Sequence, residues 1–531
     1  MGAKILVSDT LSEAGLEVLN KAPGMAVEYK PGLKEAELAA AIPGFDALVI
    51  RSGSKVTAKV IAAAKDLKVI GRAGIGVDNV DVAAASKHGI IVMNTPTGNA
   101  VTTAEHAIAL LMALARKIPQ ATASMRAGKW EKSKFQGHEL SAKTLGVIGL
   151  GNIGRVVADR ARGLHMSVIG YDPVMTPERA AELGIELVSL EDIWSRADAI
   201  TVHTPLTTET RGLVNETTIG KMKSGVLLVN CARGGIYDEA ALVKGLESKK
   251  IGGVALDVFT EEPPGPLPIL GREDVICTPH LGASTEEAQE RVALEIAEQV
   301  VAYLTSGTIA NAVNVPSVSR EIAPRLAPYV RLAERLGTFL AQAHKLSPRA
   351  IEVECVGEPG ELGARAITCA GLAGVLEGSF EEHVNPVSAP HIAKDAGIAV
   401  RELKASPKPG GHGALVSVRV EQADGSTVRA DGTLFSDGAP RLVRWSNYEI
   451  DAHLAGSILV VLNEDRPGVI GAIGTILGRS EINVSRLQVG LEPGSKRAAA
   501  LWGLDTRPSP DTLSEIQNLP HVAAAMCVRL P

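Results

Sequence analysis

A chain of 531 residues with 54 basic and 60 acidic side chains carries a formal net charge of −6, and it has no basic stripe with interleaved aromatics, so nucleic acid is not an expected partner. Hydrophobic residues make up 45% and aromatics only 3%, so the cores must be built from Ala, Val, Ile and Leu, a composition suited to parallel sheets covered by helices. Five cysteines without paired or metal-ligand spacing fit a reducing compartment and predict no metal site.

The length predicts three or four domains. The chain enters a strand almost at once, without a signal-peptide core, and its longest apolar helical run, 107–115, is too short to span a bilayer. A cytoplasmic location with no membrane partner is the expectation. Residues 5–7, 47–50, 67–70 and 90–93 read as strands, with helical patterns at 35–41 and 82–87 between them; this is an α/β lobe without a nucleotide fingerprint. A helix is predicted over 101–117, ending before Pro119.

The apolar run 144–148 then leads into Gly149-Leu150-Gly151-Asn152-Ile153-Gly154, followed by helix formers and by a second strand, 166–171, that ends at Asp172. Strand, Gly-rich loop, helix, strand and acid is the order of a dinucleotide-binding βαβ unit. Gly149 permits the tight turn, Gly151 lets the backbone approach a pyrophosphate, and Gly154 lets the helix pack close to the sheet. The helix N-terminus supplies amides and a positive dipole end. Asp172 stands where a carboxylate holds the ribose hydroxyls and repels a 2′-phosphate, which favours NAD.

Strand signals recur at 199–202, 226–229, 253–256 and 275–276, and a helix over 285–303 carries the chain onward. Three of the following loops each offer one ionisable group: Arg233, Glu262 and His280. Hydride transfer between NAD and a hydroxy acid needs a base poised near neutral pH, a role for histidine. It needs a carboxylate to fix that imidazole and a planar cation for the substrate carboxylate, roles for Glu262 and Arg233. Singly, each reads as an ordinary loop charge; together, in successive loops of a cofactor domain, they read as a site. His106, in an apolar helix, reads as a packed or helix-surface residue. His203 follows a strand without a carboxylate near it in sequence.

Composition shifts near 314–317, and 318–455 is richer in Gly and Pro, including 406–413; it reads as a separate α+β domain. The segment 457–530 fits a βαββαβ order, with strands at 458–462, 482–489, 498–504 and 522–529 and helices at 467–478 and 510–517, which is ferredoxin-like.

The Gly-rich loop, Asn230-Cys231-Ala232-Arg233-Gly234-Gly235, the run from Asp257 through Glu262 to Pro264, and Pro279-His280-Leu281-Gly282-Ala283-Ser284-Thr285 occur in that order. With them the chain resembles, over essentially its whole length, the D-isomer-specific 2-hydroxyacid dehydrogenases in their long form with a C-terminal ACT regulatory domain. The resemblance implies Arg233 as substrate orienter, His280 as acid/base and Glu262, rather than the neighbouring Glu261, as its partner. It carries cofactor contacts to Asn152, Ile153, Asp172, Thr204, Cys231, Ala232, Arg233, Asp257, His280, Gly282 and Ala283. Ile75 departs from the small hydroxyl residue of many relatives.

Arg51, Ser52, Arg72, Gly74 and Asn99 resemble the family's substrate contacts, and a phosphorylated acid needs cations beyond Arg233. Asn463, Asp465 and Asn483 match positions at which paired ACT domains hold serine across their interface, and Arg441 and Arg444 are candidates for an anion in the preceding domain. The implied layout is a substrate lobe over 1–98 and 283–316, an NAD domain over 99–282, an intervening domain over 317–455 and an ACT domain over 456–531.

The implied reaction is NAD-dependent oxidation of 3-phospho-D-glycerate to 3-phosphohydroxypyruvate, the entry to L-serine synthesis. Serine is the implied effector, 2-oxoglutarate reduction a side reaction, and a homo-oligomer, dimer or tetramer, the implied assembly. A glyoxylate or hydroxypyruvate reductase and a non-catalytic NAD-sensing protein are the alternatives.

Overall fold

The computed structural model describes residues 2–316, 322–377, 384–408, 412–435 and 438–530. The expected junction at 317 and residues 409–411 of the Gly/Pro-rich stretch lie outside them. The chain divides into two compact units: Met1–Leu11, Leu16–Asn94 and Ile296–Pro531 form one, and Ser12–Gly15 with Thr95–Glu295 the other. Among the described residues no helix is long and apolar enough to cross a membrane.

In the first unit the short β-branched runs near the N-terminus form a five-stranded parallel sheet. Its strands are β1 (Ala3–Val7), β2 (Met25–Tyr29), β3 (Ala47–Ile50), β4 (Val69–Arg72) and β5 (Ile91–Met93), in the order β2-β1-β3-β4-β5. Every residue of β3 is buried, as its unbroken apolar run dictates. β2 is not legible as a strand because it lies at the edge and buries none of its residues fully.

The second unit holds a seven-stranded parallel sheet: β6 (Thr144–Ile148), β7 (Ser167–Tyr171), β8 (Glu186–Leu187), β9 (Ala199–Val202), β10 (Val226–Asn230), β11 (Ile251–Leu256) and β12 (Val275–Cys277). The order β12-β11-β10-β9-β6-β7-β8 reverses direction beside β6, whose neighbours are β7 and β9. Such a reversal opens a crevice beyond the strands' carboxyl ends. The register aligns those ends: Ile148, Tyr171, Val202, Asn230, Leu256 and Cys277 form one row across the sheet. Gly149, Asp172, His203, Cys231, Asp257 and Thr278 each follow a member of that row.

The rest of the first unit contains two further sheets. Strands β13 (Pro348–Gly357), β14 (Ala399–Ala405), β15 (Ala414–Gln422), β16 (Thr427–Leu434), β17 (Pro440–Trp445) and β18 (Tyr448–His453) form a mixed six-stranded sheet. It shares a core with helices Ala323–Ala343 and Glu358–Leu376. The helices approach closely because glycines face the contact: a Cβ on Gly374 would fall 2.1 Å from the Glu334 carbonyl oxygen. The last sheet, β19 (Gly456–Glu464), β20 (Val484–Leu491), β21 (Arg497–Leu504) and β22 (Val522–Leu530), is antiparallel in the order β20-β21-β19-β22. With helices Val469–Arg479 and Pro510–Gln517 it realises the expected βαββαβ order.

The βαβ unit of the second sheet depends on two glycines. Gly149 has φ +90°, and a Cβ on Gly154 would fall 1.9 Å from the Gly149 carbonyl oxygen. Gly154→Ala is therefore expected to cost about 1–3 kcal/mol, read as a lower urea midpoint, together with weaker NAD binding. An unchanged midpoint and affinity would show that the loop relaxes freely.

Candidate active site

The loops that follow β10, β11 and β12 bring the three predicted ionisable groups to one edge of the second sheet. The Nδ1 atom of His280 lies 2.7 Å from Oε2 of Glu262. The other Glu262 oxygen accepts the Phe259 N–H at 3.1 Å. Burial pushes the Glu262 carboxyl up, but the bonds from His280 and Phe259 outweigh it and hold the group below the usual glutamate range. In return the Glu262 hydrogen bond raises His280 above the ordinary histidine value, against the opposing effects of burial and of the Arg233 charge. Of the two neighbouring glutamates, Glu262 is the one hydrogen-bonded to His280.

Arg233 is placed by Asn230 at the end of β10. The Asn230 side chain accepts the Ala232 N–H at 2.9 Å and donates to the Arg233 carbonyl at 2.9 Å. The guanidinium donates to the Ala232 carbonyl at 2.7 Å. A Cβ on Gly234 would lie 1.8 Å from the Phe259 carbonyl oxygen, so the Arg233 loop rests directly on the loop that carries Glu262.

Asp257, predicted as a cofactor contact, is fully buried. Oδ1 accepts from the Thr278 hydroxyl at 2.6 Å and from Leu281 N–H at 2.7 Å, and Oδ2 accepts from Gly282 N–H at 2.8 Å. Its carbonyl accepts the His280 N–H at 2.9 Å. Burial raises the Asp257 carboxyl, but the His106, Thr278 and Leu281 bonds together bring it below the usual range. His280 itself has φ +53°, a left-handed conformation that histidine tolerates better than most residues and that persists where neighbours over-determine it.

His106 reaches this network: its Nε2 is 3.2 Å from both Asp257 Oδ1 and the Thr278 hydroxyl. The sequence reading of His106 as a packed or surface residue missed this, because the partners are 151 and 172 residues away along the chain. His203 is half-buried, and desolvation drives its imidazole down to about 3, which favours the neutral ring.

The cofactor positions fit a dinucleotide. Asp172 accepts the Leu150 N–H of the Gly-rich loop at 2.8 Å and the N–H groups of Val174 and Met175 at 2.9 and 3.2 Å, which fixes the acid beside that loop. A Cβ on Gly151 would meet no atom within 4 Å, leaving the backbone open to approach. The buried hydroxyl of Thr204 finds no hydrogen-bond partner among the described residues, and its methyl group lies 2.8 Å from where a Gly149 Cβ would stand. An unfilled donor beside an open glycine loop at a helix N-terminus suits a diphosphate ligand. Asn152 opens that helix and donates to the Pro96 carbonyl at 3.0 Å, and Ile153 is half-buried behind it. Cys231 and Ala232 are buried beneath the Arg233 loop, and Ala283 is half-buried after Gly282. Asn99 precedes the helix Ala100–Arg116 and is 8% exposed, with its Oδ1 unpartnered among the described residues.

In the first unit, Arg51 follows β3 and Arg72 ends β4, in register with Ile50. Buried Asp9, just past β1, accepts the backbone N–H groups of Arg51 at 2.6 Å and Ser54 at 3.0 Å. Asn79 donates to the Arg51 and Ser54 carbonyls at 2.6 and 2.7 Å. The loop bearing exposed Ser52 is therefore held by two residues that sequence reasoning did not assign. A Cβ on Gly74 (φ +138°) would fall 1.7 Å from an Arg72 guanidinium nitrogen, so the two predicted residues sit together.

Arg441 and Arg444 already face carboxylates, Asp451 at 3.3 Å and Glu449 at 3.2 Å. Asn463 and Asp465 lie at one end of the last sheet. Asn463 is paired with Ala498, which is paired with Leu491. Asn483 immediately precedes Val484, which is paired with Leu504 and through it with Ser457. One chain thus holds Asn483 about 20 Å from Asn463, six residues of strand.

Residues 108–282 match the D-isomer specific 2-hydroxyacid dehydrogenase NAD binding domain, and residues 325–446 match the D-3-phosphoglycerate dehydrogenase intervening domain. A D-3-phosphoglycerate dehydrogenase of Archaeoglobus fulgidus is 41% identical over 99% of this chain and 100% of its own length. One of Synechocystis is 42% identical over 99% and 95%. The crystal structure of a glyoxylate reductase from Paecilomyes thermophila superposes with a TM-score of 0.55 at 29% identity, covering 98% of that protein but 59% of this chain. The full-length match, both domain matches and an NAD site with its Arg233, Glu262 and His280 loops assign the chain to the D-3-phosphoglycerate dehydrogenases, NAD-dependent members of the D-isomer-specific 2-hydroxyacid dehydrogenase family.

Proposed function

We propose that this enzyme oxidises 3-phospho-D-glycerate to 3-phosphohydroxypyruvate, the first step of L-serine synthesis. The observation that carries the reading is the 2.7 Å His280–Glu262 pair, with the Glu262 loop packed against that of Arg233. NAD, which the Gly149–Gly154 loop, Asp172 and Thr204 would hold, would supply the acceptor for the C2 hydride. His280 takes the hydroxyl proton at Nε2 while Nδ1–H stays on Glu262, whose charge stabilises the imidazolium. Arg233 offers its planar fork to the substrate carboxylate. Arg51, Ser52, Arg72 and Gly74 are assigned to the substrate's anionic ends, and Asn99 to a further contact. The reverse direction returns the proton from His280, and 2-oxoglutarate reduction is a side activity of the same groups. Two cationic loops and relatives of matching length favour this over a glyoxylate or hydroxypyruvate reductase, and the intact Arg233, Glu262 and His280 set disfavours a non-catalytic NAD sensor.

The same reading divides the chain into a substrate lobe, an NAD domain, an intervening domain and an ACT domain, in a cytoplasmic protein whose five cysteines are free. Exposed Ile118, Met125 and Trp130, the last 81% exposed, support a homo-oligomer, dimer or tetramer, formed through the second unit. L-Serine is the effector at Asn463, Asp465 and Asn483. Because the first two lie about 20 Å from the third in one chain, each serine site takes residues from two copies.

Glu262→Gln keeps an acceptor for Nδ1–H but removes the charge that raises His280. Oxidation needs neutral imidazole, so its acid limb is expected to move to lower pH; reduction needs the imidazolium, so its alkaline limb moves the same way. Turnover should fall by about tenfold or more, and unshifted profiles in both directions would overturn the pairing. Arg51→Ala or Arg72→Ala should raise KM for 3-phosphoglycerate at least about tenfold, the worth of one charged hydrogen bond, and leave an unphosphorylated analogue little changed; equal losses count against a phosphate role. Asp465→Ala and Asn483→Ala should each abolish serine inhibition, and co-expressing the two should restore part of it, since one of the two sites in a mixed pair is intact. No recovery would place serine within a single chain.

A further inference from the structure

The histidine at position 106 is used by nothing so far described, yet it touches the most constrained group of the site. Its Nε2 lies 3.2 Å from Oδ1 of Asp257 and 3.2 Å from the hydroxyl of Thr278, which itself donates to the same oxygen at 2.6 Å. Asp257 is 0% exposed, whereas the His106 side chain retains 20% exposure. Among the described residues, every other donor to Asp257 belongs to the segment carrying His280: Thr278, Leu281 and Gly282 donate to its carboxylate, and His280 N–H donates to its carbonyl. Among the described residues His106 is the one carboxylate partner from elsewhere, the helix Ala100–Arg116.

An ionised carboxylate without water is held in place by its donors, and losing one of them leaves the charge undercompensated. The Asp257 carboxylate then has to turn toward the donors that remain, and these are the Thr278 hydroxyl and the amides of the acid/base loop. His106 therefore fixes the carboxylate from the helix side so that its other lone pairs are presented to Leu281 and Gly282.

We propose that His106 is a positioning residue for the reaction: clamped on Asp257 and Thr278, it sets where the loop bearing His280 stands relative to the reacting carbon. This rests on the assignment of His280 as the acid/base. A loop supported on one side only would leave cofactor and substrate bound while the proton acceptor spends less time within reach, so kcat falls more than KM rises.

Two variants of the full-length enzyme separate position from polarity. Gln carries an N–H donor to about the distance of Nε2, whereas Asn carries the same amide one methylene short. His106→Asn is expected to lower kcat about tenfold to a hundredfold, as loss of a supporting hydrogen bond does in other sites, with KM for 3-phosphoglycerate and Kd for NAD within about threefold. The deuterium isotope effect with C2-labelled substrate should rise as hydride and proton transfer become more rate-limiting. His106→Gln is expected to recover most of the rate and return the isotope effect to that of the parent. Asn and Gln variants with equal rates and isotope effects, whether both near the parent or both slow, overturn the proposal. A His106→Asn loss confined to KM or to NAD binding also overturns it. His280→Ala run alongside keeps the two readings apart: normal turnover there removes the acid/base assignment itself, whereas a collapse there with a fully active His106→Asn removes only the role of His106.

Discussion

A carboxylate with no contact with water tolerates few arrangements of its surroundings, and Asp257 is such a group. Desolvating an ionised carboxyl costs several kcal/mol unless its lone pairs are filled. Here they are filled from a helix by His106, from the end of β12 by Thr278, and from the following loop by Leu281 and Gly282. Residues on either side inherit that constraint. The loop starting at Asp257 reaches Glu262, and the loop its carboxylate gathers in contains His280, so both members of the 2.7 Å pair hang from one anchor. The left-handed backbone of His280 fits this view: a conformation that costs of order 1 kcal/mol is retained where amides on both sides are already bound.

The first unit repeats the device. Asp9 follows β1 as Asp257 follows β11, is nearly as deeply buried, and accepts backbone N–H groups from the loop of the adjacent strand. In a parallel sheet, strands end side by side, so a carboxylate one or two residues past one end can pin the loop leaving the next. Arg51 is positioned in this way through its backbone, while its guanidinium donates to the Thr10 carbonyl at 3.3 Å. Arg72 is shaped differently, by the space that Gly74 vacates. Both cations thus stand at carboxyl ends of strands, where open α/β sheets place their ligand-binding loops.

What the sequence makes legible follows from the range of the interactions concerned. Buried parallel strands announce themselves as short β-branched runs, and β3 and β9 coincide with their predicted spans. The edge strands β2 and β8 do not: β2 buries no residue fully and β8 is two residues long, so neither has a periodicity to detect. The Gly149–Gly154 loop is legible because its chemistry is local. The pairing of Glu262 with His280 is legible only as a set of successive loops, and of the two neighbouring glutamates it is Glu262 whose carboxylate lies 2.7 Å from the imidazole. His106, Asp9 and Asn79 were not assignable, since each acts on partners at least 25 residues distant along the chain. Asp257 shows a subtler gap, for its position can be inferred from a motif but the number of donors on its carboxylate cannot.

The C-terminal sheet carries register arguments from the loop to the assembly. Strands β19 and β20 are both antiparallel to β21 and therefore run in the same direction, so the residues that end β19 and those that precede β20 face opposite ends of the sheet. A zwitterionic amino acid spans only a few ångströms between ammonium and carboxylate, and its acid and amide partners must converge on that span. Asp465 and Asn483 of one chain cannot converge, separated as they are by about 20 Å of strand. A two-fold axis beside the sheet would reverse one copy's ends against the other's and so would bring the β19 end of one copy to the β20 start of its mate. An effector held by all three residues would then bridge two chains and would be sensed as a change in how they associate.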